Sequence, residues 1–132
     1  TAEDRQLVEQ LLEPLGTIEP IAQERLLDVV TAVSGSGPAY VFLLAEVLAA
    51  AAEQEGLDKD AAMRLASRTV AGAGALMLQT GEAPSVLRKQ VTSPGGTTEA
   101  ALDVLGGNGG LGPLLRHAVG AAAARSRELG KG

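Results

Sequence analysis

The sequence has no cysteine, no tryptophan, one phenylalanine, one tyrosine and one histidine in 132 residues. Without cysteine there is no disulfide framework, no thiolate nucleophile and no zinc or iron–sulfur site built on sulfur, and a lone His117 forms no histidine cluster. No metal is therefore expected. Basic residues are few and scattered. Eleven Lys and Arg against sixteen Asp and Glu leave a net charge of −5, with no concentrated basic stripe for phosphates, so no nucleic-acid partner is expected. Long apolar runs are also missing. The longest uncharged stretch, between Asp28 and Glu46, is interrupted by Ser34-Gly35-Ser36-Gly37-Pro38 and falls short of the roughly 20 continuous apolar residues that cross a bilayer. With no signal-peptide pattern either, no membrane partner and a cytoplasmic location are expected. The chain opens on Thr1 rather than Met, which suggests a processed chain or an excised domain.

What is abundant is small and aliphatic. The 23 Ala and 20 Leu suit closely packed helices far better than the β-branched and aromatic mixture of strands, which argues against an all-β fold. A length of 132 residues matches one domain, and one core burying about two-thirds of the unfolded surface is expected. Most of the 17 Gly and six Pro stand where helices would begin or end. Thr1 and Asp4 form an approximate capping box for a helix carrying Leu7, Val8, Leu11, Leu12 and Leu15, closed by Pro14 and Gly16. A second pattern runs from about Ala22 to Val33. After a break at Ser34 to Gly37, a long helix is expected from Pro38 to Glu55, apolar nearly all round its first half, which implies burial by several neighbours in this chain or another copy. Asp58 caps a helix reaching about Thr80, and Gly72 and Gly74 inside it suggest that another backbone comes close. Shorter helices are expected at Pro84–Gln90 and Glu99–Leu105, and a last one from Pro113 to Gly130 after the flexible Gly106 to Gly110 link. The prediction is all-α, a bundle of about six or seven helices.

The most unusual segment is Val91-Thr92-Ser93-Pro94-Gly95-Gly96-Thr97-Thr98, which sets hydroxyls and two glycines against a helix start. Free backbone N–H groups, side-chain donors and the positive end of the helix dipole converge there, a combination suited to a carboxylate or phosphate. On residue types alone the commoner outcome is a capped turn. Glu53, Glu55, Asp58 and Asp60 read as capping and solvating acids at a helix junction, Tyr40 as a packing residue with its hydroxyl at the rim, and His117 as a surface residue.

Thr31-Ala32-Val33-Ser34-Gly35-Ser36-Gly37-Pro38-Ala39-Tyr40, taken with Val91 to Thr98 at this separation, closely resembles the carboxy-terminal half of pyrroline-5-carboxylate reductase. Gly56-Leu57, the Ala-Gly helix, Thr80-Gly81-Glu82-Ala83-Pro84 and the ending Arg125-Ser126-Arg127-Glu128-Leu129-Gly130 extend the likeness over nearly the whole chain. The resemblance implies an all-helical domain that forms an interlocked homodimer, in a family that often builds rings of dimers, with residues 1–19 a remnant of the last helix and strand of an amino-terminal Rossmann domain and residues 20–132 the helical domain. It implies hydride transfer from NADPH or NADH to 1-pyrroline-5-carboxylate, giving L-proline in proline biosynthesis. By the same resemblance the substrate-binding residues fall on Val91, Ser93, Gly95, Gly96, Thr97 and Thr98. Ser93 and the backbone of Gly96 and Thr97 would hold the substrate carboxylate, and Thr98 would be the catalytic residue near the ring nitrogen. Ser36 would lie towards the nicotinamide. The Gly106 to Gly112 stretch is richer in glycine than is usual in that family and is assigned no role.

Neither a strand with a glycine-rich turn nor a ribose-binding acid after one is visible, so the dinucleotide is expected to bind mainly outside this chain, and the isolated chain is expected to lack reductase activity. Two other readings are a stand-alone helical dimer module without catalysis and a helical domain from another two-domain dehydrogenase. The Ser93 to Thr98 segment disfavours the last of these.

Overall fold

Helix formation begins as the sequence implies. In the computed structural model, which describes residues 1–131, the Thr1 hydroxyl accepts from the Asp4 amide at 3.2 Å and opens α1 (Ala2–Leu12), which tightens into a 3₁₀ turn at Glu13–Leu15 around Pro14. Residues 16–23 carry no regular structure. A 3₁₀ turn at Glu24–Leu26 then leads into α2 (Leu27–Val30), followed by α3 (Gly37–Gln54), α4 (Lys59–Thr80), α5 (Pro84–Gln90), α6 (Thr97–Leu105) and α7 (Leu111–Leu129). The fold is all-α, with no strand among the described residues.

The expected break at Ser34 to Gly37 is not there. Thr31–Gly35 form a π-type turn, in which the Ser36 amide donates to the Thr31 carbonyl at 2.9 Å, and the chain runs as one helix from Glu24 to Gln54. The wide turn absorbs the glycines and brings Pro38 into the first turn of α3, where its missing N–H costs nothing. The Ser34 hydroxyl donates to the Val30 carbonyl at 2.8 Å, and the Tyr40 hydroxyl donates to the Ala32 carbonyl at 3.1 Å, pinning the turn from its carboxy-terminal side. By length and composition this helix is apolar enough to cross a membrane, although Asp28 and Glu46 lie within it.

Two packing groups organise the rest. α3 and α4 form a hairpin across Glu55 to Asp58, with the Asp58 side chain accepting from the Asp60 and Ala61 amides, and α4 stops at Gly81 in the left-handed conformation (φ 64°). Their contact is built from alanine, with Ala49, Ala62 and Ala66 at 0, 1 and 3% exposure and Ala52 packed against them. Small side chains let the two helix backbones approach closely. α7 packs on α2 and the π turn, burying Ala32 and Ala123, and the Ser126 hydroxyl donates to Asp28 Oδ1 at 2.7 Å across 98 residues of sequence. α5 and α6 link the groups, and two sequence-derived starts move: α6 begins at Thr97, not Glu99, and α7 at Leu111, not Pro113.

The expectation of one core within the chain fails. Among the described residues the buried apolar side chains are five alanines and Leu87, with no large side chain fully enclosed. The chain exposes 10,474 Å², against about 19,300 Å² for an unfolded chain of this mass and about 6,500 Å² for a compact monomer. It therefore buries under half of its unfolded surface rather than two-thirds. Twenty-nine large apolar residues are exposed, including Val41, Phe42, Leu43, Leu44, Val47 and Leu48 along α3. Among the described residues nothing outside the local turns of α4 lies within 4 Å of a Cβ built at Gly72 or Gly74, so the expected neighbouring backbone is not found there. α4 covers one side of α3, and among the described residues no further helix packs extensively on the others.

Enlarging Ala62 to Leu should force α3 and α4 apart and cost about 1–3 kcal/mol, as overpacking generally does. Urea denaturation of the variant beside the parent chain measures it, and an unchanged midpoint would contradict alanine contact as the seam of the hairpin.

Candidate functional site

The segment singled out by its hydroxyls and glycines forms a tight turn between α5 and α6. α5 is closed by the Thr92 hydroxyl, which donates to the Arg88 carbonyl at 2.6 Å, and by the Thr92 amide on the Lys89 carbonyl at 3.1 Å. Upstream, Gln90 Nε2 donates to Glu82 Oε2 at 2.8 Å, tying the end of α5 to the loop before it. The chain reverses through Gly95, at φ 70°, a conformation that glycine adopts without the steric penalty of a Cβ. The Gly96 amide donates to the Ser93 carbonyl at 3.0 Å, and α6 starts with Gly96 as its N-cap.

Gly96 is fixed by close approach. A Cβ there would stand 2.5 Å from the Ser93 hydroxyl oxygen and 3.0 Å from the Ser93 carbonyl oxygen, so the serine side chain lies over the bare glycine backbone. Gly96 also has no side chain with which to cap the helix. The amides of Thr97, Thr98 and Glu99, the first three of α6, accordingly have no partner among the described residues. The side-chain hydrogen bonds of this segment are those of Thr92 and of Glu99, whose Oε2 accepts from the Gly95 amide at 2.7 Å. The hydroxyls of Ser93, Thr97 and Thr98 have no partner among the described residues. One short segment thus carries three hydroxyls, three free amides and the positive end of a nine-residue helix, with Arg88 and Lys89 in the last turn of α5 before it. Chemically, a turn this rich in free donors suits a carboxylate.

Of the residues expected to bind substrate, Ser93, Gly95, Gly96, Thr97 and Thr98 meet in this turn, and Val91 stands at its entrance, 64% exposed. The Gly95 and Gly96 amides are engaged by Glu99 and Ser93, which moves the free donors to the first turn of α6. Ser36 is separate, half-buried at the end of the π turn. His117 is exposed on α7. The Gly106 to Gly112 stretch closes α6, the Gly106 amide donating to the Leu102 carbonyl at 2.7 Å, and borders a cleft of about 930 Å³ between α5, α6 and α7. Thr92 and Glu99 line that cleft, whereas Ser93, Thr97 and Thr98 do not. Sequence reasoning missed Glu99, although an acid at the third helical position behind an uncapped glycine was a visible signal for it.

Comparison with known proteins agrees with the all-α fold. A family model described as pyrroline-5-carboxylate reductase dimerisation matches residues 24–129. Among curated proteins, the pyrroline-5-carboxylate reductase of Glycine max is 47% identical over 129 residues, covering 98% of this chain and 46% of the relative. Pyrroline-5-carboxylate reductase 2 of Bacillus subtilis (strain 168) is 45% identical over 119 residues, covering 90% of this chain and 42% of the relative. Among solved structures, a pyrroline-5-carboxylate reductase from Coxiella burnetii superposes with a TM-score of 0.88 at 42% identity, over 98% of this chain and 47% of that one. A Plasmodium falciparum pyrroline carboxylate reductase with NADP bound gives 0.79 at 31% identity, over 98% and 49%. The chain spans about half the length of the relatives it matches. With the all-α order of its helices and a family match over residues 24–129, the chain belongs to the pyrroline-5-carboxylate reductase dimerisation family.

Proposed function

We propose that this chain is the oligomerisation and substrate-binding part of a reductase that transfers hydride from NADPH or NADH to 1-pyrroline-5-carboxylate, giving L-proline in the cytoplasm. The observation that carries the reading is the Ser93 to Thr98 turn, whose unpartnered hydroxyls and amides match a carboxylate ligand in a chain of this family. The substrate carboxylate sits against the Ser93 hydroxyl, over the bare Gly96 backbone, and takes the free amides in the first turn of α6. Val91 offers an apolar side to the ring. The Thr98 hydroxyl hydrogen-bonds at the ring nitrogen, so the five-membered ring is held by two adjacent atoms in one orientation. A protonated imine accepts hydride readily, so orientation and support of the charged nitrogen are the main demands on this half of the enzyme.

The dinucleotide does not fit the residues present. There is no strand among the described residues on which a glycine-rich phosphate turn could be built, and Ser36 is the single position assigned towards it. We assign its binding to the rest of the parent enzyme, with residues 1–19 as a remnant of its amino-terminal Rossmann domain and residues 20–132 as the helical domain. The family match and the exposed apolar faces of α3 and α4 support a homodimer, in which a second copy covers α3 and approaches Gly72 and Gly74, the unit from which a ring of dimers would be built.

The isolated chain should show no NADPH oxidation with 1-pyrroline-5-carboxylate at high protein concentration, and robust turnover by the pure chain would contradict the division of labour. In the full-length enzyme, Gly96→Ala should displace the Ser93 hydroxyl and weaken proline binding about tenfold, some 1.4 kcal/mol, while the assembled mass stays the same. Titration calorimetry with proline measures this. Unaltered binding would favour a helical dimer module over a substrate site.

A further inference from the structure

A helix whose N-cap is glycine has no side chain at that position to hold its first turn, and an acid at the third position ordinarily compensates by reaching back to the N-cap amide. Here Glu99, third in α6, reaches one residue further. Its Oε2 takes the Gly95 amide at 2.7 Å, while the Gly96 amide is already held by the Ser93 carbonyl at 3.0 Å. Gly95 stands at φ 70° beside a second glycine, so the backbone of the turn is the most conformationally free stretch of the site. Among the described residues, the Glu99 carboxylate is the side chain that hydrogen-bonds to Gly95, the residue at positive φ.

We propose that Glu99 is a positioning residue of the substrate site, its carboxylate locking Gly95 so that the Ser93 hydroxyl lies over Gly96 and the first three amides of α6 stay open to the substrate carboxylate. This rests on reading the turn as the carboxylate site. The division of donors makes the arrangement workable, since Glu99 occupies an amide outside the open set and the two carboxylates draw on different N–H groups. Without the lock, the glycine pair must be ordered at the moment of binding, and that cost appears as lost affinity. The atoms that exchange hydride are untouched.

The test uses the full-length enzyme carrying this domain. Glu99→Ala should raise the KM for 1-pyrroline-5-carboxylate about five- to tenfold, the scale of one capping bond converted at tenfold per 1.4 kcal/mol. The value of kcat, the KM for NADPH and the assembled mass should stay within twofold. Glu99→Gln, which keeps an acceptor oxygen at the same reach, should restore the substrate KM to within twofold of the parent. Should Glu99→Ala fail to assemble, Glu99→Asp, one methylene too short for Gly95, should show the same rise. An unchanged or lowered substrate KM in the alanine or aspartate variant would overturn the assignment, as would a glutamine variant as impaired as they are. Ser93→Ala separates the two layers of the argument. If it raises the substrate KM while the Glu99 variants do not, Glu99 is no positioning residue, and if it leaves KM unaltered, the turn is not the carboxylate site.

Discussion

Alanine-on-alanine contact between α3 and α4 fixes the rest of the architecture. Ala49, Ala62 and Ala66 bring the two helices together at the end near their connecting loop, and so little side-chain volume is enclosed there that the larger residues of both helices remain outside. The exposed surface exceeds that of a compact monomer by about 4,000 Å², more than the roughly 1,000–2,500 Å² that each partner of an obligate dimer buries. Apolar patches on lone soluble chains rarely pass a few hundred Å². A second copy of the chain, as proposed above, would supply the missing half of such a core.

That constraint also determines where a site can be. α3 and α4 are committed to packing, and a turn dense in unpaired donors would be costly inside such an interface. The donors instead collect where two short helices meet, on a turn held by local bonds from Thr92, Ser93 and Glu99. The Glu82–Gln90 bond secures the approach to it, so the turn draws its form from its own neighbourhood rather than from a large core.

Much of this was readable in the sequence. The helix starts at Thr1 and Asp58 followed from capping chemistry, the stop at Gly81 from glycine, and the site segment from its hydroxyls and glycines. The failures share a cause. Ser34-Gly35-Ser36-Gly37-Pro38 looked like a break because local propensity carries no information about a π turn, whose wider bond pattern is secured by Tyr40 reaching back eight residues to Ala32. Gly72 and Gly74 implied a close neighbour, and length implied a self-contained core, yet neither signal says whether the neighbour belongs to the same molecule. The Glu99 bond to Gly95 was hidden because it departs by one residue from the usual capping pattern.

The central claim is that the uncovered faces of α3 and α4 are one side of a contact between identical chains. Sedimentation equilibrium of the chain at micromolar concentration tests it most directly. The account predicts a mass of at least twice 13.3 kDa that persists on dilution. A stable, well-folded species of 13.3 kDa would contradict it.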